Sequence, residues 1–125
     1  MYKIVIVTSR KEAFRVFGDA LEAAPADVAL AWAQSGADAL DTAKKNTPDL
    51  IVVDDPLEDT DGLSLIRQLL GINAMINTAL VSRLADDEFH EATEGLGILN
   101  RLPLNPDRAD AEAVLTALRQ IVGPR

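Results

Sequence analysis

Apolar residues arrive along this chain in two rhythms, short unbroken runs and stripes at helical spacing, and the two alternate from one end to the other. The runs Lys3 to Val7 and Leu50 to Val53 are too short for helix cores and rich in β-branched residues, so they predict strands buried on both faces. Val28-Ala29-Leu30-Ala31-Trp32-Ala33 alternates large and small, a strand with a bulky face and an alanine face that Ser35-Gly36 ends. Ala79 to Val81, ending at Ser82, and the brief Ile98-Leu99 predict two more strands. The stripes lie between them. Phe14, Phe17 and Leu21 share a helical face, with Ser9-Arg10-Lys11-Glu12 at capping-box spacing in front and Pro25 as the stop. Ala37, Leu40 and Ala43 mark a short second helix, and Leu63, Ile66, Leu69 and Leu70 a third that Gly71 closes. Asp86-Asp87-Glu88 suits a helix first turn, with Phe89, Ala92 and Leu96 as its buried side. Asn105 as N-cap and Pro106 at the first helical position open the last helix, with Val114, Leu115, Leu118, Ile121 and Val122 inward. Strands alternating with helices require helical crossovers, so the pattern predicts an α/β fold with a doubly wound, five-stranded parallel sheet.

Composition narrows this picture. With 125 residues, 48% of them hydrophobic, the chain is expected to form a single domain, 1–125, around one core. A formal net charge of -8 repels phosphate backbones and anionic membranes, so no direct nucleic-acid or membrane partner is expected. There are no cysteines and one histidine, which excludes disulfides, thiolate metal sites and imidazole clusters. That histidine, His90, sits between acids on a helix and reads as exposed and idle. The apolar run at the N-terminus is too short for a signal peptide or a membrane span, which points to a cytoplasmic protein.

The chemistry concentrates at one stretch. Pro48-Asp49-Leu50-Ile51-Val52-Val53-Asp54-Asp55-Pro56 is a buried strand that stops at two carboxylates, at the carboxyl end where open α/β sheets carry their sites. Asp54 alone is compatible with a strand-end carboxylate that takes loop amides. Asp54, Asp55, Glu58, Asp59 and Asp61 crowd five carboxylates into eight residues, either a solvated connection or a cation-attracting loop. Thr8 and Ser9 read most simply as a helix cap. No glycine-rich loop follows a strand and no serine lies beside a histidine, which argues against a nucleotide binder or a hydrolase.

These residues resemble the phosphoacceptor segment of bacterial response-regulator receiver domains. Asp54 falls at the phosphoacceptor position, Asp61-Gly62 follows it at the family's spacing, Ser82 matches the Ser/Thr switch residue, and Pro103 matches the proline after the fifth strand. The likeness spans essentially the whole chain. It implies a flavodoxin-like receiver fold with strand order 2-1-3-4-5, a two-component phosphorelay role rather than an enzyme's, and a phosphoprotein. As partners it implies a histidine kinase or a downstream signalling protein, docked through the fourth helix, fifth strand and fifth helix; a homodimer is a further option that the sequence does not decide.

The sequence also departs from the family. Thr8 and Ser9 stand where the family has the acidic pair that holds magnesium, Leu102 where it has a lysine, Leu99 at its aromatic switch position, and Arg83 where it has a small residue. Aspartyl phosphate formation places an anion on an anion and depends on those cations. An atypical receiver is therefore expected, the alternative being a pseudo-receiver that serves as an interaction module without phosphorylation. No cofactor is assigned, and magnesium is expected to bind weakly or not at all, with Asp54 and Asp55 as weak candidate ligands and Glu58, Asp59 and Asp61 as candidate substitutes on the same loop. Arg83 is expected to lie beside Asp54 in place of the missing cations, with Arg101 and Arg10 as weaker candidates. Leu102-Pro103 is expected to be cis, as that proline typically is in the family.

Overall fold

The computed structural model of the protein describes residues 1–23 and 28–124. In chain order the elements are β1 (Tyr2–Val7), a 3-10 turn (Lys11–Phe14), α1 (Arg15–Ala23), β2 (Val28–Ala33), α2 (Gly36–Lys45), β3 (Leu50–Val53) and α3 (Gly62–Ile72). β4 (Asn77–Val81), α4 (Asp86–Thr93), β5 (Asn100–Leu102) and α5 (Arg108–Val122) complete it. All pairings are parallel and the order is β2-β1-β3-β4-β5, the doubly wound sheet expected.

Side chains alternate across the strands and so feed two apolar layers. Ile4, Ile6, Leu50, Val52, Ala79 and Val81 face Phe14, Phe17 and Leu21 of the first helical segment and Val114, Leu115 and Leu118 of α5. Val5, Val7, Ile51, Val53 and Leu80 face Ala39 and Ala43 of α2, Leu65, Ile66 and Leu69 of α3, and Phe89 of α4. β3 is buried along its entire length, as its unbroken apolar run requires, and its direction leaves Asp54 at the carboxyl edge. Among the described residues no helix is long and apolar enough to cross a membrane.

Several local expectations are corrected. The first helix does not open with a Ser9–Glu12 capping box: the chain enters through the 3-10 turn, and Glu12 instead pairs with Arg15 at 2.6 Å. The stop expected at Pro25 lies outside the described residues. Ala37 is exposed, because α2 turns Gly36, Ala39 and Ala43 to the sheet. Gly71 does not close α3, which runs to Ile72 and ends where the Asn73 amide donates to the Leu69 carbonyl. β5 starts two residues later than its apolar signal: Leu99 already donates to the Thr78 carbonyl, and the register pairs Asn100 with Ala79 so that Leu102 enters the core. Helix α5 is capped by Asp107, not Asn105; Asp107 and Asp110 form a reciprocal capping box that satisfies amides an asparagine two residues earlier would not reach. Ile121 is 63% exposed, whereas Val122 beside it packs against the core. The cis X-Pro bond is Asp55–Pro56, so Leu102–Pro103 is not cis.

Candidate functional site

Asp54 follows β3 directly and is completely buried, its amide donating to the Val7 carbonyl. A carboxylate offers about four acceptor directions, and here four are taken. Oδ2 accepts from the Thr8 hydroxyl at 2.7 Å and from Arg10 Nε at 2.9 Å. Oδ1 accepts from Arg10 Nη2 at 2.8 Å and from the Asp55 amide at 2.8 Å. Arg10 therefore grips Asp54 with the paired fork that matches guanidinium to carboxylate. Its Nη2 also donates to the Leu104 carbonyl at 3.1 Å, and its guanidinium carbon lies 5.7 Å from the centre of the Phe14 ring. One side chain thus joins the loops after β1, β3 and β5. The hydrogen bond to Asp54 raises the Arg10 pKa further above its usual value, partial burial opposing this and the charge of Asp54 reinforcing it.

The residue expected in this role, Arg83, is not there. It is exposed, and among the described residues nothing hydrogen-bonds or ion-pairs with it. The reason lies in two similar turns at the ends of β1 and β4, the neighbours of β3. The Thr8 hydroxyl accepts from the Arg10 amide at 2.8 Å, and the Ser82 hydroxyl accepts from the Leu84 amide at 3.2 Å. Such a turn throws its middle residue outward and brings the next one back. Ser9 and Arg83 are the middle residues and are exposed; Arg10 and Leu84 return and are half-buried. Arg10, the third candidate from sequence, is the partner. Thr8 acts here as an anchor rather than as the cap of a regular helix.

Arg101, the remaining candidate, pins the opposite side. Its guanidinium pairs with Asp86 at 2.6 Å, donates to the Leu84 carbonyl, and lies 4.9 Å from the centre of the Phe89 ring. It holds the loop between β4 and α4 against β5. Leu102, at the family's lysine position, is buried among apolar side chains. His90 is exposed with its ring edge-on to Phe89, 6.0 Å away.

Three of the acidic loop's carboxylates are tied to backbone amides while Glu58 is exposed, and the loop is not gathered as a cation site. Asp55 accepts from the Gly62 amide at 2.8 Å. Asp59 accepts from the Gly36 and Ala37 amides at 2.9 and 3.0 Å, at the start of α2. Asp61 caps α3 by accepting from both the amide and the hydroxyl of Ser64. Those amide bonds, Gly36 foremost for Asp59 and Ser64 for Asp61, hold both carboxyls below the usual aspartate value. Among the described residues no group of three or more His, Asp or Glu side chains is placed to hold a metal ion. Of the candidate ligands, Asp54 spends both oxygens on Arg10, Thr8 and the Asp55 amide and Asp55 one oxygen on the Gly62 amide, and Thr8 and Ser9 bring no charge. The residues present do not fit a magnesium site. The sequence signal that could have found this arrangement is the Thr8-Ser9-Arg10 spacing, a hydroxyl two residues before an arginine at the end of a buried strand.

The response regulator receiver domain profile matches residues 4–103. Among solved structures, a CheY-like receiver domain protein from Methanospirillum hungatei is 19% identical with a TM-score of 0.78, covering 98% of this chain and 97% of its own. A two-component response regulator from Legionella pneumophila is 17% identical with a TM-score of 0.78, covering 96% and 99%. The signal receiver domain of an HD domain-containing protein from Pseudomonas fluorescens is 20% identical with a TM-score of 0.80, covering 97% and 89%. At these identities the likeness is one of fold. No curated protein matches the sequence.

Proposed function

The chain belongs to the response regulator receiver domain family, and from that premise we propose that it is an atypical receiver whose Asp54 is latched by Arg10 and which signals by docking to protein partners. The observation that carries this is the Arg10 fork on Asp54. To attack phosphorus, a carboxylate oxygen needs a free lone pair and cations around the incoming phosphoryl oxygens. Asp54 has its acceptor directions filled, and its one cation is already neutralised by the carboxylate itself. A guanidinium keeps its proton at and well above neutral pH, so the latch does not open by titration of Arg10. A divalent ion approaching Asp54 meets a carboxylate whose charge Arg10 already balances, so it gains little net attraction there. Phosphorelay chemistry, a kinase partner and docking through α4, β5 and α5 come from the family resemblance, and the last two suit the latched domain equally well.

A second reading, a phosphoaccepting receiver, is favoured by Asp54 and Ser82 standing at the carboxyl ends of adjacent strands. Incubation with acetyl phosphate and magnesium, followed by intact mass, separates the two. The latched reading expects no phosphoryl adduct on the native chain. An adduct that disappears in Asp54→Asn establishes the second reading and removes the first.

A further inference from the structure

We propose that the free edge of β2 is a self-association surface, on which a second copy of this chain pairs antiparallel about a two-fold axis at Leu30 to make one continuous sheet. β2 ends the sheet, and its pairing to β1 runs without interruption from Tyr2↔Val28 to Val7↔Ala33. The Thr8 amide donates to the Ala33 carbonyl, so Ala33, and by the period of two Ala31 and Ala29, turn their backbone groups inward to β1. Val28, Leu30 and Trp32 therefore turn theirs outward along the open edge.

Natural edges are blunted by charge, proline, bulges or shortness. The other edge follows this rule: β5 has three residues, one of them Arg101. The β2 strand, Val-Ala-Leu-Ala-Trp-Ala, has six residues and none of these devices. It is also self-complementary. An axis through Leu30 sets Leu30 opposite its own copy and Val28 opposite the copy's Trp32, each pair exchanging both its amide and carbonyl bonds. All three residues with outward backbone groups are then satisfied together. Val28, Leu30 and Trp32 are half-buried on the α1 face, so the pairing adds aromatic and β-branched cross-strand contacts, the kind that stabilise sheets. Ala29 and Ala31, exposed on the opposite face, set methyl groups opposite one another and obstruct nothing. No charge lies on the strand to repel its copy, unlike the acidic surface elsewhere on a chain of net charge -8.

The test uses the whole chain, which has no cysteine of its own. Single substitutions Val28→Cys, Leu30→Cys and Trp32→Cys are oxidised mildly at concentrations where sedimentation equilibrium shows association. A directly opposed hydrogen-bonded pair has Cα atoms about 5.5 Å apart, inside the range a disulfide spans. Only Leu30→Cys should therefore give a covalent dimer in high yield. In the unsubstituted protein, the amides of Leu30 and Trp32 should exchange slowly when concentrated and fast when dilute, while those of Ala29 and Ala31 stay slow in both. Leu30→Pro removes one outward amide and none that β1 uses, and should leave a folded monomer. A chain that stays monomeric into the millimolar range overturns the proposal. So does a dimer that crosslinks equally from all three positions, or one that persists in folded Leu30→Pro.

Discussion

Replacing Arg10 by alanine takes the paired fork from the Asp54 carboxylate, which is fully buried in the native chain, and leaves the Thr8 hydroxyl and the Asp55 amide as its remaining donors. Removing one partner of a fully buried ion pair costs about 3–5 kcal/mol. The Arg10 side chain is 36% exposed, so water already screens part of the attraction and replaces part of the lost fork, which lowers the expectation to about 2–3 kcal/mol. For a domain of this size that corresponds to a fall in Tm of roughly 10 °C. Urea unfolding followed by the fluorescence of the single tryptophan, Trp32, should show the midpoint fall with the slope unchanged. Asp54→Asn keeps the shape and removes the charge, so the double variant Arg10→Ala/Asp54→Asn should be more stable than the sum of the single effects by at least about 1 kcal/mol. A cost below about 0.5 kcal/mol for Arg10→Ala, the level of an ordinary surface change, would mean that the fork does not form in solution. The latched reading of the site would then fail with it.

Other outcomes follow from the same contacts. Asp59 and Asp61 have lowered pKa values in the folded chain, so their contribution is fully present above the ordinary aspartate value of 3.8 and is lost as pH falls through their lower folded values; the variant carrying Asp59→Asn and Asp61→Asn should show a shallower loss of Tm on acidification. Gly62→Ala would bring a Cβ to 2.6 Å from Leu80 Cδ1 and 3.4 Å from the Asp54 carbonyl; overpacking of this kind should cost about 1–3 kcal/mol in urea unfolding. Arg101→Ala removes the contacts to Asp86, Leu84 and Phe89 together, and amide exchange should accelerate in α4 and the loop before it while β1 and β3 stay protected.

The sequence by itself determined the architecture, because each layer depends on local patterns that agree with one another. Unbroken apolar runs suit strands covered on both faces, stripes at helical spacing suit the covering helices, and alternation of the two leaves the parallel sheet as the consistent solution. Asp54 at the carboxyl end of β3 was legible for the same reason. Boundaries were less so where tertiary partners outvoted local signals: Asp107 rather than Asn105 caps α5, and β5 begins where β4 pairs with it rather than where its apolar residues begin. The partner of Asp54 was decided by the tertiary structure. Arg10, Arg83 and Arg101 all follow or occupy strands near the site, and spacing along the chain ranks them by position alone. What selects Arg10 is the turn in which the Thr8 hydroxyl binds both the Arg10 amide and Asp54, so that one hydroxyl fixes the chain and the carboxylate at once. The acidic loop was settled in the same way: its carboxylates read alike in sequence, yet Asp55, Asp59 and Asp61 each meet backbone amides at or just before a helix start. Unpaired amides at helix starts are strong donors for carboxylates, and only the folded chain brings those amides to the loop.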